Sequence, residues 1–289
     1  MIWLAGNRGM LGTEVEELFA RAGETVIASD REVDITRPGS IAAFLDRHGS
    51  PRLAWIVNCA AYTAVDAAED DAERAMAVNG TGVAHLAAAA AAAGARLLHV
   101  STDYVFDGRG GAPCAEDDPP NPLGVYGRTK LAGEEAARAA SARNVTVRTS
   151  WLYGRHGPSF VATMLRLFRE RDEVGVVDDQ HGCPTHARDL AAVLVEIARR
   201  PEVPGGTYHF CNDGPTTWYG FACEILRQAR ARGLVPREVR VVPLRTDQYP
   251  TRARRPARAV LSTARLRVVL GIVPRPWEAA LADYFEEGA

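Results

Sequence analysis

A phenol and an ammonium stand four residues apart in the stretch VYGRTKLAGEE, where Tyr126 and Lys130 fall on one face of a helix. Reducing a ketone requires a hydride on carbon and a proton on oxygen. A free tyrosine titrates near pH ~10, too high for fast proton exchange at neutral pH. A neighbouring ammonium stabilises the phenolate and brings that value down. A hydroxyl is also needed to hold the carbonyl oxygen, and the run ARLLHVSTDYVF supplies two, Ser101 and Thr102, followed by Asp103. On its own, a Y-x-x-x-K pair equally fits a surface helix with a solvated lysine. The elements around it decide between the two.

Short apolar runs alternate with helical stretches through the first half of the chain. MIWLA, ETVIASD, LAWIVNCAA, ARLLHVSTDYVF and VTVRTSWLYG read as strands. GMLGTEVEELFARAG, RPGSIAAFLDRHG, DAERAMAVNGTGVAHLAAAAAAAG and YGRTKLAGEEAARAA read as helices, and the alanine tract suits one because alanine is the best helix former. Continuously apolar strands separated by helices predict a parallel sheet covered on both faces. The fold class is therefore α/β, a Rossmann-like doubly wound parallel sheet with a smaller C-terminal substrate-binding lobe. Residues 1-150 read as the NAD(P)-binding domain, re-entered near 186-213, and residues 151-289 mainly as the discontinuous lobe. In that second half SFVATMLRLFRER, ARDLAAVLVEIARR and TTWYGFACEILRQARARG read as helices, the last capped by Thr216 or Thr217. VGVVDDQHGCPTH reads as strand then loop and GGTYHFCND as a strand; LSTARLRVVLG and PWEAALADYFEEG close the chain after a Pro- and Arg-rich loop.

The carboxyl ends of the strands carry the remaining chemistry. AGNRGMLGTE places Gly6, Gly9 and Gly12, with Met10 and Leu11 between them, at the turn from first strand to first helix. Glycines there let the backbone approach a pyrophosphate, and the helix N-terminus favours its charge. Asp30 ends the second strand and suits the adenosine ribose hydroxyls, whereas Arg31 suits a 2′-phosphate, so the pair leaves NADH and NADPH both open. Asp34 and Ile35 could flank the adenine. In NCAAYT, Ala60, Ala61 and Tyr62 end the third strand with side chains small enough at 60 and 61 for close approach of a cofactor. Lys130 then has a second task, holding the nicotinamide ribose.

Bulk properties exclude several classes. The 289 residues are 47% hydrophobic and 24% charged with a net charge of −2, which predicts an ordinary globular chain rather than a nucleic-acid binder. The basic run TRARRPAR, Thr251 to Arg258, reads either as a solvated loop or as a small phosphate site. Five scattered cysteines give neither metal spacing nor a disulfide framework, which fits the cytoplasm. The N-terminus does not read as a signal peptide, and no run reads as a membrane span.

The glycine turn, S-T-D and Y-x-x-x-K, in this order, resemble the extended short-chain dehydrogenase/reductase superfamily. STDYVFDG, YGRTKLAGE, RTSWLYG, FVATMLRL, DDQHGCPT, GTYHF, TTWYGFA and YPTRARRP narrow the resemblance to the dTDP-4-dehydrorhamnose reductase family and cover most of the chain. That resemblance implies NAD(P)H-dependent reduction of dTDP-4-dehydro-L-rhamnose to dTDP-L-rhamnose, for dTDP-rhamnose biosynthesis and cell-surface polysaccharide. It makes Tyr126 the proton donor, Lys130 its partner and ribose ligand, and Thr102 the carbonyl contact. Asp103 and Trp151 match deoxysugar contacts, and Asn79 in AVNGTG matches a helix asparagine near the active site. Some members hold Mg²⁺ between subunits through carboxylates; Glu14 fits one of these positions, and Glu286 and Glu287 are late carboxylates that also suit a solvated terminus. A homodimer is the implied assembly, with no nucleic-acid or membrane partner.

Other readings share the early motifs. A dehydratase usually carries T-D-E, whereas Asp103 here precedes Tyr104. An epimerase is disfavoured by the late blocks. A reductase of another dTDP-4-keto-6-deoxysugar, such as the dihydrostreptose type, would look similar. A non-catalytic NADP-binding regulatory subunit would not need Thr102, Tyr126 and Lys130 together.

Overall fold

The apolar runs pair into one parallel sheet. Its strands are β1 (Ile2–Ala5), β2 (Val26–Ser29), β3 (Trp55–Asn58), β4 (Arg96–Thr102), β5 (Val145–Thr149) and the strand Gly206–His209. They lie in the order Gly206–His209, β5, β4, β3, β1, β2. The computed structural model describes residues 1–286.

Strand side chains alternate between two helical layers, α1 (Met10–Arg21) with the helix Ala187–Arg199, and α2 (Pro38–Arg47) with α4 (Gly82–Ala92). Ile2 and Leu4 pack with Leu11, Val15, Phe19, Leu190 and Leu194, whereas Trp3 and Ala5 pack with Ile41, Phe44, Val83 and Leu86. Each fully buried leucine or phenylalanine contributes about 1.5–3 kcal/mol, so covering both faces holds the strand ends still. A separate core joins Tyr153, Val161, Phe168, Phe221, Ile225, Trp277 and Leu281. The helix Ala187–Arg199 and strand Gly206–His209 thus return to the sheet layer, while the elements on either side build the second core.

Three expectations need correction, and one choice between two residues is resolved. The third helical stretch is α3 (Ala72–Met76) and α4 joined by a π-helical turn, Ala77–Thr81. By length and composition the continuous stretch Ala72–Ala92 is apolar enough to cross a membrane, but Val83, Leu86, Ala87 and Ala90 spend that apolarity against the sheet. VTVRTSWLYG is not one strand: β5 ends at Thr149, Trp151 takes a left-handed φ of 46°, and Leu152–Tyr153 turns away to pair with Thr185–His186. The Pro- and Arg-rich loop contains a strand, Arg240–Leu244, parallel to Glu173–Val177; its pattern is half exposed and includes Pro243, which suits an edge position. Thr217, not Thr216, caps the helix Trp218–Ala231 by accepting from Gly220 N.

Candidate active site

The sheet order reverses between β1 and β3, so their carboxyl ends frame a crevice. Gly6 turns there with φ 82°, and an added Cβ would come 2.5 Å from Ala60 N. A Cβ on Gly12 would lie 2.0 Å from Gly6 O, so helix α1 can start this close to the turn only without side chains. Asn58 fixes the facing backbone by accepting from Ala60 N at 3.0 Å. Asn79, on the π turn, accepts from Tyr62 N at 2.8 Å, donates to Tyr62 O at 3.0 Å and donates to Thr129 Oγ1 at 3.1 Å. It therefore ties the segment after β3 to α5 (Val125–Ala140), next to Lys130. Met10 opens α1 at the crevice, whereas Leu11 is core.

At the end of β2, Asp30 and Arg31 sit beside a carboxylate the sequence reading passed over. Glu32 accepts from Asp30 N at 2.9 Å; that bond, with weaker pulls from Arg8 and Arg47, lowers its pKa. Asp34 differs from expectation: its carboxylate accepts from Thr36 N and Oγ1 and pairs with Arg37, which makes it a turn residue. Ile35 is buried in the core under α4, and its carbonyl meets His85 Nδ1. Asp34 itself is exposed at the surface, and Ile35 is buried.

Thr102, Tyr126 and Lys130 meet at the end of β4. Helix α5 begins after Gly124 and carries Tyr126 and Lys130 toward that strand end. Lys130 Nζ donates to Val100 O at 2.7 Å, and burial draws the ammonium down to about 8 against the raising influence of Glu134. Burial is also the main influence on Tyr126, pushing it up to about 12, while a hydrogen bond with Thr102 acts the other way. The expected tuning of Tyr126 by Lys130 is thus not the dominant effect, because the ammonium is anchored on the strand and the phenol is desolvated. Thr102 Oγ1 donates to Asp103 Oδ1 at 3.0 Å and accepts from Tyr104 N at 3.2 Å. Burial raises the Asp103 carboxyl to about 7, and its Oδ2 has no protein partner. Buried Ser101 Oγ also lacks one.

Beyond these groups lies a cleft lined by Asp103, Tyr104, Trp151, Gln180, Trp218 and Arg255. Tyr104 meets the Tyr126 ring edge-on, with centroids 5.7 Å apart. Arg255 hydrogen-bonds Tyr104 and, through Nη2, Asp66 Oδ2 at 2.7 Å. The basic run is thereby spent partly on tethers, with Arg252 paired to Asp70 as well. Tyr104, Gln180, Trp218 and Arg255 were not assigned roles from the sequence; Trp218 and Arg255 lie in stretches singled out there, without a spacing that gives them a partner.

Mg²⁺ does not fit Glu14. The carboxylate is 0% exposed and accepts from Arg155 Nη2 at 3.0 Å and Arg188 Nη1 at 3.2 Å, with His156 Nε2 at 3.5 Å. Two guanidiniums already fill the place a cation would take. Glu286 lies 3.7 Å from Arg232, Glu287 falls outside the described residues, and no metal-holding group of His, Cys, Asp and Glu occurs among those described.

A crevice at the sheet reversal, with hydroxyl, phenol and ammonium collected one strand away, is the architecture of a Rossmann-like reductase of the short-chain dehydrogenase/reductase kind. Family comparison narrows this class. The family model described as RmlD substrate binding domain matches residues 1–289, and the chain belongs to that family. It is 46% identical to a dTDP-4-dehydrorhamnose reductase of Streptomyces griseus, over 98% of this chain and 92% of that protein. It is 42% identical to a dTDP-4-keto-6-deoxy-D-glucose reductase of Streptomyces niveus, over 98% and 96%. The crystal structure of dTDP-4-dehydrorhamnose reductase from Bacillus anthracis in complex with NADP superimposes with a TM-score of 0.91 at 34% identity, covering 99% of this chain and 98% of that one.

Proposed function

We propose that this chain is a dTDP-4-dehydrorhamnose reductase that uses NADPH or NADH to reduce the sugar's 4-keto group, giving dTDP-L-rhamnose. The observation that carries the reading is the Thr102–Tyr126 hydroxyl pair, in contact with Asp103 and Tyr104, which line the aromatic-walled cleft. The nicotinamide cofactor, when bound, supplies the hydride to C4 of the sugar. Thr102, its proton turned from Asp103 Oδ1, and Tyr126 hold O4, and the Tyr126 proton passes to it, leaving an alcohol and a phenolate that solvent reprotonates. Lys130 spends one ammonium proton on Val100 O and keeps two donors for the ribose diol. A phenol pushed up to about 12 is a reluctant acid, so a nearby cation is required while the phenolate exists, and Lys130 is that cation. Asp103 and Trp151 contact the deoxysugar. In this reading the sheet layer, residues 1-150 with 186-213, holds the cofactor, and the remainder of 151-289 holds the substrate. The cytoplasm is the site of action, in keeping with five free thiols, and a homodimer is the assembly, which light scattering reads directly.

The test is NADPH oxidation against a panel of dTDP-4-keto-6-deoxysugars, with product stereochemistry read by NMR. Turnover should be greatest with dTDP-4-dehydro-L-rhamnose; no turnover with any member overturns the reading. The Streptomyces niveus relative favours one second reading, reduction of a different dTDP-4-keto-6-deoxysugar, which the same panel separates.

A further inference from the structure

Trp151 is expected to offer a flat face to the sugar, but in this structure that face is taken. The Trp151 and Trp218 rings stack with centroids 3.6 Å apart and planes 11° from parallel. Gly182 packs against the same indole so tightly that an added Cβ would come 2.5 Å from its Cε2. Trp151 is held at φ 46°, a conformation that side-chain-bearing residues rarely adopt, at the point where the chain leaves the sheet. Its backbone carbonyl accepts from Thr185 N at 3.2 Å, and its neighbour Ser150 donates to Cys183 O at 2.6 Å. Trp151 is therefore pinned on both sides. Trp218 is partly buried, as Trp151 is, but it is the first residue of its helix and follows the Thr217 cap, whose Oγ1 donates to Asp178 Oδ1 at 2.6 Å. Beyond it stands Phe160, with centroids 4.7 Å apart and rings tilted by 51°.

We propose that Trp218 is a specificity-determining gate: the sugar takes its place on Trp151, and the displaced indole becomes an apolar wall that favours a methyl over a hydroxymethyl at C5. The inference rests on the nucleotide-sugar reading above. A pocket closed by its own aromatic pair opens only for a ligand whose contacts exceed the stack they replace. The polar lining of the cleft is Asp103, Tyr104, Gln180, His181 and Arg255; the two indoles, with Pro256 and Ala259, make its apolar wall, and that wall offers a 6-hydroxyl only the ring N–H groups. An apolar wall of this kind discriminates against an added hydroxyl by roughly a hundredfold at most.

The stack gives its own readout. Trp151 and Trp218 are the only indoles in ring contact with each other among the described residues, so their coupling should produce an exciton couplet in circular dichroism that Trp218→Phe abolishes. With NADP⁺ present, dTDP-L-rhamnose should collapse the couplet in the wild-type protein. Calorimetry with dTDP-6-deoxyglucose and dTDP-glucose, which differ only at C6, should give a wild-type affinity ratio of about ten or more, falling to within about threefold in Trp218→Ala; Trp218→Phe, which keeps a ring, should retain most of the ratio. Binding of dTDP-L-rhamnose with the couplet unchanged overturns the gate, and an unchanged ratio in Trp218→Ala overturns the selectivity. If no dTDP-sugar binds, the functional reading falls and the gate falls with it.

Discussion

Replacing Asp103 by asparagine should uncouple both stability and sugar binding from pH. The carboxyl is 2% exposed, and burial raises it from 3.8 to about 7. Between these values the unfolded chain has released a proton that the folded chain keeps. The folded state binds more protons there, so stability falls as pH rises from about 4 to about 7 and levels off above. A shift of roughly three units, at ~1.4 kcal/mol each, makes the loss about 4 kcal/mol as an upper bound. The asparagine side chain would be neutral throughout and would not incur it. Carboxylates elsewhere titrate in both proteins and cancel in the difference. Urea unfolding of wild type and Asp103→Asn between about pH 4.5 and 8 should therefore give a stability gap that widens with pH in favour of the variant. The same proton matters to the ligand. Thr102 donates to Oδ1, while Oδ2 has no protein partner. Protonated, Oδ2 is a donor to the sugar; asparagine keeps a donor there at every pH. Wild-type KM for the sugar should rise above about pH 7 while that of Asp103→Asn stays level. A stability gap constant across the range would refute the buried, proton-holding carboxyl, and parallel KM profiles would refute its role as a donor.

Three further outcomes test the site. Tyr126→Phe should lower turnover by roughly 10²–10⁴ with cofactor affinity nearly intact, and wild-type turnover would remove Tyr126 from the mechanism. Lys130→Met should reduce turnover and NADPH affinity each by at least about tenfold, since one ammonium serves ribose and phenolate; a change in affinity alone, measured by fluorescence titration, would confine it to the ribose. Both cofactors should work within roughly tenfold in kcat/KM, because Arg31 is opposed by Asp30 at an exposed edge; Arg31→Ala should move preference toward NADH and Asp30→Ala toward NADPH, and shifts in the opposite sense would assign the 2′ position to Arg8 or Glu32.

The sheet was legible because its rule is local. Ile2, Leu4, Trp55 and Val57 lie in apolar runs, and such runs between helices have few other solutions than a strand buried on both faces. The glycine turn was legible for the same reason, since Gly6 and Gly12 are demanded by backbone atoms of the turn itself and of the neighbouring strand end. The strand Arg240–Leu244 was hidden because it is a half-exposed edge containing a proline, with no alternation to announce it. The break at Trp151 was hidden because nothing in RTSWLYG signals a left-handed tryptophan; the turn is imposed by Thr185 and Cys183, distant in sequence.

Site residues that depend on a partner from the other core were the least readable, and Arg255 explains why. Within TRARRPAR each arginine has the same local character, solvated and cationic. Only the fold brings Asp66, at the end of the segment after β3, within 2.7 Å of one of them. Once paired, Arg255 is held by a carboxylate of the sheet layer, and it hydrogen-bonds Tyr104, whose ring edge rests on Tyr126. A residue from the late basic run thus supports the phenol through a chain of contacts anchored after β3. The pair is partly exposed, so its worth as an ion pair is modest, at most about 1 kcal/mol. Its value is geometric: Asp66 also accepts from Ala253 N at 3.0 Å, so one carboxylate and Tyr104 together hold the loop that carries Pro256 and Ala259 into the cleft.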